Sequence, residues 1–257
     1  KVAVKYYKKI FKAKTDIFNK LKKINNSDIV QLLDFGYYKE HFYETMEFAA
    51  GGAVNEKKDD GSYKYLPYTE EQTIKMCRQV IGALKTCHEV GIIHRDIKPA
   101  NIYLRNNNGN DFIIGDFGIS SIMEDGEISH KTQTVSRTNG YAAPEILSGL
   151  ISPALDYYAL GVTLWEVLTG KDPFVLDNGH RRNDEHLLRD TIEGRIADDI
   201  LSREPKLSQK MQHLIRGLLV IRPEYRWGYD EVTRYLNGED VSVYVEQKKY
   251  KPIEISD

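Results

Sequence analysis

Two cysteines, Cys77 and Cys87, are all that a chain of 257 residues contains. Ten residues apart on one helix, they would lie about 15 Å apart along its axis, beyond the reach of a disulfide. Two unpaired thiols fit a reducing, cytoplasmic setting. Long uncharged apolar runs are lacking as well. The most apolar stretch, Tyr157 to Leu168, is interrupted by Glu166 and is too short to cross a bilayer. No apolar leader opens the chain, which begins Lys1-Val2-Ala3-Val4-Lys5 and stays polar. An excess of one charge is also missing: 36 Lys and Arg against 38 Asp and Glu leave −2, so the whole molecule is no electrostatic partner for nucleic acid. The local exception is residues 1–23, where nine lysines face a single acid, Asp16. That run reads first as a solvated face and only second as a docking patch.

What is present is core material. Hydrophobic residues make up 41% and charged residues 29%, which excludes a disordered or collagen-like chain. Val2-Ala3-Val4, Leu32 to Tyr38 and Phe42 to Phe48 read as strands, the last two joined by a Lys39-Glu40-His41 turn. Phe18, Leu21 and Ile24 at helical spacing predict an amphipathic helix over about Thr15 to Asn25. Gly51-Gly52 and the polar stretch Asn55 to Tyr65 then break the pattern and mark a boundary. The remainder is mainly helical. Thr69 and Gln72 have capping-box spacing, ahead of an apolar stripe of Ile74, Cys77, Val80, Ile81, Leu84 and Cys87. Tyr157 to Leu168 is apolar nearly all round, as a buried helix should be, and stops at Gly170 with Pro173 beyond. Leu207 to Val220 and Tyr229 to Leu236 are further helices.

The segment richest in chemistry is Ile92-Ile93-His94-Arg95-Asp96-Ile97-Lys98-Pro99-Ala100-Asn101. Asp116-Phe117-Gly118 follows behind the apolar run Phe112-Ile113-Ile114, and Ala143-Pro144-Glu145 comes later. With the Val2-Ala3-Val4-Lys5 opening, Asp156 and Arg226 in the same order, the chain resembles the eukaryotic-type protein kinase family over essentially its whole length. The resemblance implies a two-lobed α+β fold. Residues 1–48 would form a partial N-terminal lobe, from the lysine strand onward, with a small sheet and one helix. Residues 49–257 would form a mainly helical C-terminal lobe with the catalytic loop and activation loop.

The implied activity is ATP-dependent transfer of a phosphoryl group to a protein serine or threonine. That chemistry needs positioning and charge neutralisation more than covalent help. By resemblance Asp96 orients the acceptor hydroxyl and takes its proton, Lys98 reaches the transferring phosphate, and Lys5 holds the α- and β-phosphates. Asn101 and Asp116 hold magnesium, for which an amide and a carboxylate oxygen are suitable donors. Glu47 and Ala49 supply hinge backbone groups to adenine, with Met46 as gatekeeper, while Ala3 and Tyr103 sandwich the ring. Tyr103 is bulkier than the aliphatic residue usual there. His94 is a packed structural histidine. Composition makes Asp156 a surface acid; the resemblance makes it a buried one that receives catalytic-loop N–H groups. Glu145 and Arg226 form a buried ion pair.

Lys98 together with Thr138 resembles the serine/threonine pattern, in which the threonine bonds the catalytic acid and lysine. The implied activation loop offers Thr132, Thr134 and Ser136 as phosphosites, Thr134 first, with Arg95 as the cationic partner of a phosphate. Two departures stand out. No glycine-rich loop precedes the lysine strand, which the resemblance reads as truncation. The helix after Lys5 also lacks the expected glutamate: family spacing lands on Ile17, and Asp16 is the only acid nearby. The partner of Lys5 is therefore expected to be Asp16 or nothing. A pseudokinase or scaffolding module with an impaired lysine–helix pair, or a small-molecule kinase, is the alternative function. The sequence sets neither the substrate nor the oligomeric state.

Overall fold

The computed structural model describes residues 1–8, 14–57, 63–64, 67–123, 127, 129–131, 140–176 and 178–245. Three antiparallel strands, β1 (Val2–Tyr6), β2 (Leu32–Tyr38) and β3 (His41–Glu47), form a sheet in the order β1-β3-β2. Each is rich in β-branched and aromatic residues. Their register opposes Ala3 to Met46 and Lys5 to Glu44. Helix α1 (Thr15–Leu21) covers one face of this sheet with buried Ile17, Phe18 and Leu21. Phe18 meets Phe42 at 4.7 Å and Phe35 at 5.5 Å between ring centroids.

Helix α1 is a turn shorter than its apolar spacing suggests. Lys23 and Ile24 donate to Lys20 and Leu21, three residues back, so the last turn tightens before the polar Asn25-Asn26-Ser27 segment. Beyond β3 the chain passes Gly51, whose N–H donates to Leu104 O at 3.0 Å. A Cβ there would stand 2.4 Å from Asn106 O, so only glycine allows that approach. Gly52–Ala53 then begins a second three-stranded sheet with Ile102–Leu104 and Phe112–Ile114. Glu56–Lys57 pairs with Tyr63–Lys64 within the stretch expected to be an irregular boundary.

The rest is mainly helical: α2 (Glu70–Glu89), α3 (Ala154–Thr169), α4 (Asp184–Ile192), α5 (Ile196–Ser202), α6 (Gln209–Leu218) and α7 (Tyr229–Leu236), with short two-residue strand pairs between them. The Thr69–Gln72 capping box forms in both directions, at 3.2 and 3.0 Å. Cys77, Val80, Ile81, Leu84 and Cys87 of α2 are buried as the stripe predicts, whereas Ile74 is only half-buried. Helix α3 is buried over Leu155–Leu168 and packs on α2 and α6. It ends where Gly170 turns left-handed at φ 65°. Helix α6 starts two residues after the apolar pattern does, because Ser208 Oγ accepts from Met211 N–H at 3.2 Å and fixes the first turn there.

The two parts meet behind the cleft. Val30 donates to Ile114 O at 2.8 Å, and Ile114 donates to Asp28 O at 2.9 Å. The architecture is thus α+β and two-lobed, a small sheet with one helix set against a helical body. No helix among the described residues is long and apolar enough to cross a membrane.

Candidate active site

Asp96 lies on the loop between Ile92–Ile93 and the short 3₁₀ turn Pro99–Asn101. Lys98 Nζ donates to both Asp96 oxygens at 2.9 Å, and Asn101 Nδ2 reaches Asp96 Oδ2 and the Asp96 main-chain oxygen at 2.8 Å. Two side chains chosen by motif thus converge on the carboxylate of a third. An amide that donates through its nitrogen to Asp96 keeps its oxygen for a cation.

The loop is held from beneath. Asp156, fully buried near the start of α3, accepts from His94 N–H at 2.9 Å and from Arg95 N–H at 2.7 Å. His88, on α2, donates to the same carboxylate at 2.8 Å. Burial pushes the Asp156 carboxyl up, but the His88 hydrogen bond and the Arg95 N–H outweigh it and hold it below the usual carboxylate range. These bonds stabilise a backbone that needs help, since Arg95 adopts a left-handed φ of 69°. Asp156 is therefore a buried tether of this loop and not the surface acid that composition suggests.

His94 ties this loop to the next. Its Nδ1 accepts from Asp96 N–H at 3.3 Å, and its Nε2 donates to Gly115 O at 3.0 Å. Its ring packs on Phe117 at 4.6 Å. A Cβ at Gly115 would stand 2.8 Å from Val30, so glycine lets this segment close against the sheet junction. Asp116 follows at φ 65°, a second strained residue beside the first. Arg95 Nη1 donates to Ser121 Oγ at 2.6 Å.

Across the cleft, Lys5 Nζ stands 2.5 Å from Asp116 Oδ1. Burial raises the Asp116 carboxyl, yet the Lys5 charge and hydrogen bond hold it below its ordinary value. This corrects the expectation for Lys5: its ionic partner is Asp116, and Asp16 is an exposed residue of a helix whose buried positions are apolar. Tyr7, two residues beyond Lys5 and just past the end of β1, offers its ring to the ammonium at 4.7 Å and donates its hydroxyl to Glu44 at 2.6 Å.

The remaining candidates fall around this centre. Ala3 and Met46 face each other across β1 and β3. Glu47 turns its carboxylate outward to Arg105 and to Gln31 N–H at 2.8 Å, leaving its backbone at the end of β3. Ala49 lies just beyond, with its carbonyl accepting from Gly52 N–H at 3.2 Å. Tyr103 is half-buried; burial pushes its phenol up to about 12, with the charges of Asp116, Glu44 and Asp96 adding to the rise. Glu145 and Arg226 form a bidentate pair at 2.5 and 2.9 Å, the guanidinium fully buried. Thr132, Thr134, Ser136 and Thr138 lie outside the described residues.

Sequence reasoning missed Glu44, Tyr7 and His88. A signal for Glu44 was available, because Phe42, Glu44 and Met46 alternate along β3 and set a carboxylate between two apolar inward positions. No comparable pattern marks His88, which stands among polar residues late in α2.

Comparisons with known proteins agree with this geometry. The calcium/calmodulin-dependent protein kinase type 1 of Macrobrachium nipponense is 30% identical over 234 residues, covering 88% of this chain and 64% of that protein. Two Saccharomyces cerevisiae proteins, the probable serine/threonine-protein kinase KCC4 and the serine/threonine-protein kinase GIN4, are each 32% identical over 80% of this chain. The chain spans under two thirds of the first relative and only 19% and 17% of the yeast pair. Relatives of this kind lend no support to a scaffolding module or a small-molecule kinase. The family model described as protein kinase domain matches residues 1–236, from before β1 to the end of α7. No part of the cleft falls outside that match, and the chain belongs to the protein kinase domain family.

Proposed function

We propose that this domain transfers the γ-phosphoryl group of ATP to a serine or threonine hydroxyl of a protein substrate. The observation that carries this reading is the convergence of Lys98 and Asn101 on the Asp96 carboxylate. An acid held by two donors keeps one orientation, which a general base for an incoming hydroxyl requires. Lys98 bonds that acid and can neutralise charge on the group in transit. Lys5 serves the α- and β-phosphates from the opposite wall, while the backbone of Glu47 and Ala49 receives adenine beside Met46, Ala3 and Tyr103. The resemblance assigns Thr138, which lies outside the described residues, to the serine/threonine pattern with Lys98.

The donor set fits a magnesium ion. Asp116 and Asn101 offer hard oxygens, and no cluster of three His, Cys, Asp or Glu side chains among the described residues is arranged to hold a metal alone. An ion bound through one or two protein oxygens plus phosphates suits that arrangement. When bound, magnesium neutralises phosphate charge.

The division at Phe48 and Ala49 into an N-terminal lobe (1–48) and a C-terminal lobe (49–257) belongs to the same reading. So does an activation loop carrying Thr134, Thr132 and Ser136. A reducing, cytoplasmic setting is supported by two buried, unpaired thiols. The test is magnesium-dependent transfer of labelled γ-phosphate by the full-length protein to a generic protein substrate. Label on serine or threonine supports the reading, and label confined to a small-molecule acceptor contradicts it.

A further inference from the structure

We propose that Glu44, on the strand paired with Lys5, is the carboxylate that positions Lys5 for phosphoryl transfer, in place of any acid on α1. The inference rests on the proposed function and concerns how its lysine is held.

Lys5 and Glu44 are direct partners in the antiparallel register of β1 and β3. Directly opposed residues place their Cβ atoms about 4.5–5.5 Å apart on the same face of the sheet. Glu44 is 5% exposed, and carboxylates are rarely buried so deeply without charge compensation. Its carboxylate accepts a hydrogen bond from Tyr7, whose hydroxyl donates at 2.6 Å. The face of the same ring lies under the Lys5 ammonium at 4.7 Å. Tyr7 thus joins the two, holding the acid by its hydroxyl and the cation by its ring. Burial, with the Asp116 charge adding to it, leaves the Glu44 carboxyl above its ordinary value, although Tyr7 and the Lys5 charge act in the opposite direction.

The helix offers nothing equivalent. Its inward residues Ile17, Phe18 and Leu21 are apolar and buried, and Asp16 is exposed. Lys5 instead stands between two carboxylates, Asp116 at 2.5 Å and Glu44 across the strand pair. Once Asp116 is engaged by a cation, Glu44 is the buried acid of the sheet left to orient the ammonium. A carboxylate on a strand is fixed by the sheet itself. Lys5 would then be preorganised without any movement of α1, and the helix would not gate activity through an ion pair.

Two measurements on the full-length protein separate positioning from simple stability. In kinetics, Glu44→Gln keeps the shape and the Tyr7 bond but removes the charge. It should lower kcat about tenfold or more while KM for ATP stays within about threefold, the pattern of a contact needed mainly in the transition state. Glu44→Met should lose the same activity while still folding, since an apolar residue of similar size fills the space of the buried charge even though the Tyr7 hydroxyl loses this acceptor. Asp16→Ala should match the unmodified protein.

The second measurement needs no turnover. In nucleotide-free protein that carries Asp116→Asn, which removes the Lys5–Asp116 ion pair, Lys5→Met should lower Tm by about 3 °C or more, and by less than half as much when Glu44→Gln is also present, because the two residues are coupled. Additive Tm shifts, a kcat for Glu44→Gln within about twofold of the unmodified protein, or loss of folding in both Glu44 variants would each overturn the assignment. Absence of transfer by the unmodified protein would count against the proposed function alone, and the Tm cycle would still decide the role of Glu44.

Discussion

Lys5 and Asp116, 111 positions apart in sequence, meet at 2.5 Å across the cleft. The contact closes the site electrostatically: a cation from the small sheet neutralises the acid proposed to hold magnesium. Metal must therefore compete with an ammonium for that carboxylate.

From this competition follows the first expectation. Asp116→Asn should abolish most of the gain in ATP affinity that magnesium provides, about tenfold, and leave metal-free affinity within about threefold. Calorimetric titration with and without magnesium measures both. An unchanged magnesium dependence would remove Asp116 from the metal site.

Asp156 tethers the catalytic loop through His94 and Arg95 and also receives His88. Asp156→Ala leaves those donors buried without their partner and should cost about 3 kcal/mol or more in urea unfolding. Its carboxyl is held below the ordinary range, so folding binds no proton there at neutral pH. Its contribution is complete above the unfolded carboxylate value, about 3.9, and is lost as pH falls further through the folded value. The variant should therefore show a shallower loss of stability below about pH 4 than the unmodified protein.

The Glu145–Arg226 pair should break asymmetrically. Arg226 also donates to the carbonyls of Val220, Ala154 and Ile221, which would retain it if the acid were removed. Arg226→Met should cost about 4 kcal/mol and Glu145→Gln about half of that, again by urea unfolding. Equal costs would mean that the carbonyls contribute little.

Cys77 and Cys87 are buried in α2, and burial pushes the Cys77 thiol up to about 12 and the Cys87 thiol higher still. Neither should react with iodoacetamide in the folded protein near pH 8, and both should react in denaturant. Rapid labelling of native protein would contradict the packing of α2 against α3.

Elements with local signatures were legible in the sequence. The Thr69–Gln72 box, the all-apolar α3 and its Gly170 stop needed no distant contact to be recognised. The motif residues around Asp96 were legible by order. What escaped depends on pairing across the chain. Glu44 matters because a register sets it opposite Lys5, and His88 because α3 brings Asp156 beneath it. Helices α4 and α5 were missed because each is short and its buried residues are few. Asp16 was considered as a partner for Lys5 because it is near in sequence, yet its position on α1 is an exposed one.

The central claim turns on Asp96 most directly. Asp96→Asn keeps side-chain volume and a hydrogen-bonding group near Lys98 and Asn101 but removes the base. Magnesium-dependent phosphoryl transfer and ATP affinity should be measured side by side in full-length protein. The account predicts a loss of transfer of at least about a hundredfold with ATP affinity changed less than about threefold. Near-normal transfer by Asp96→Asn would contradict it.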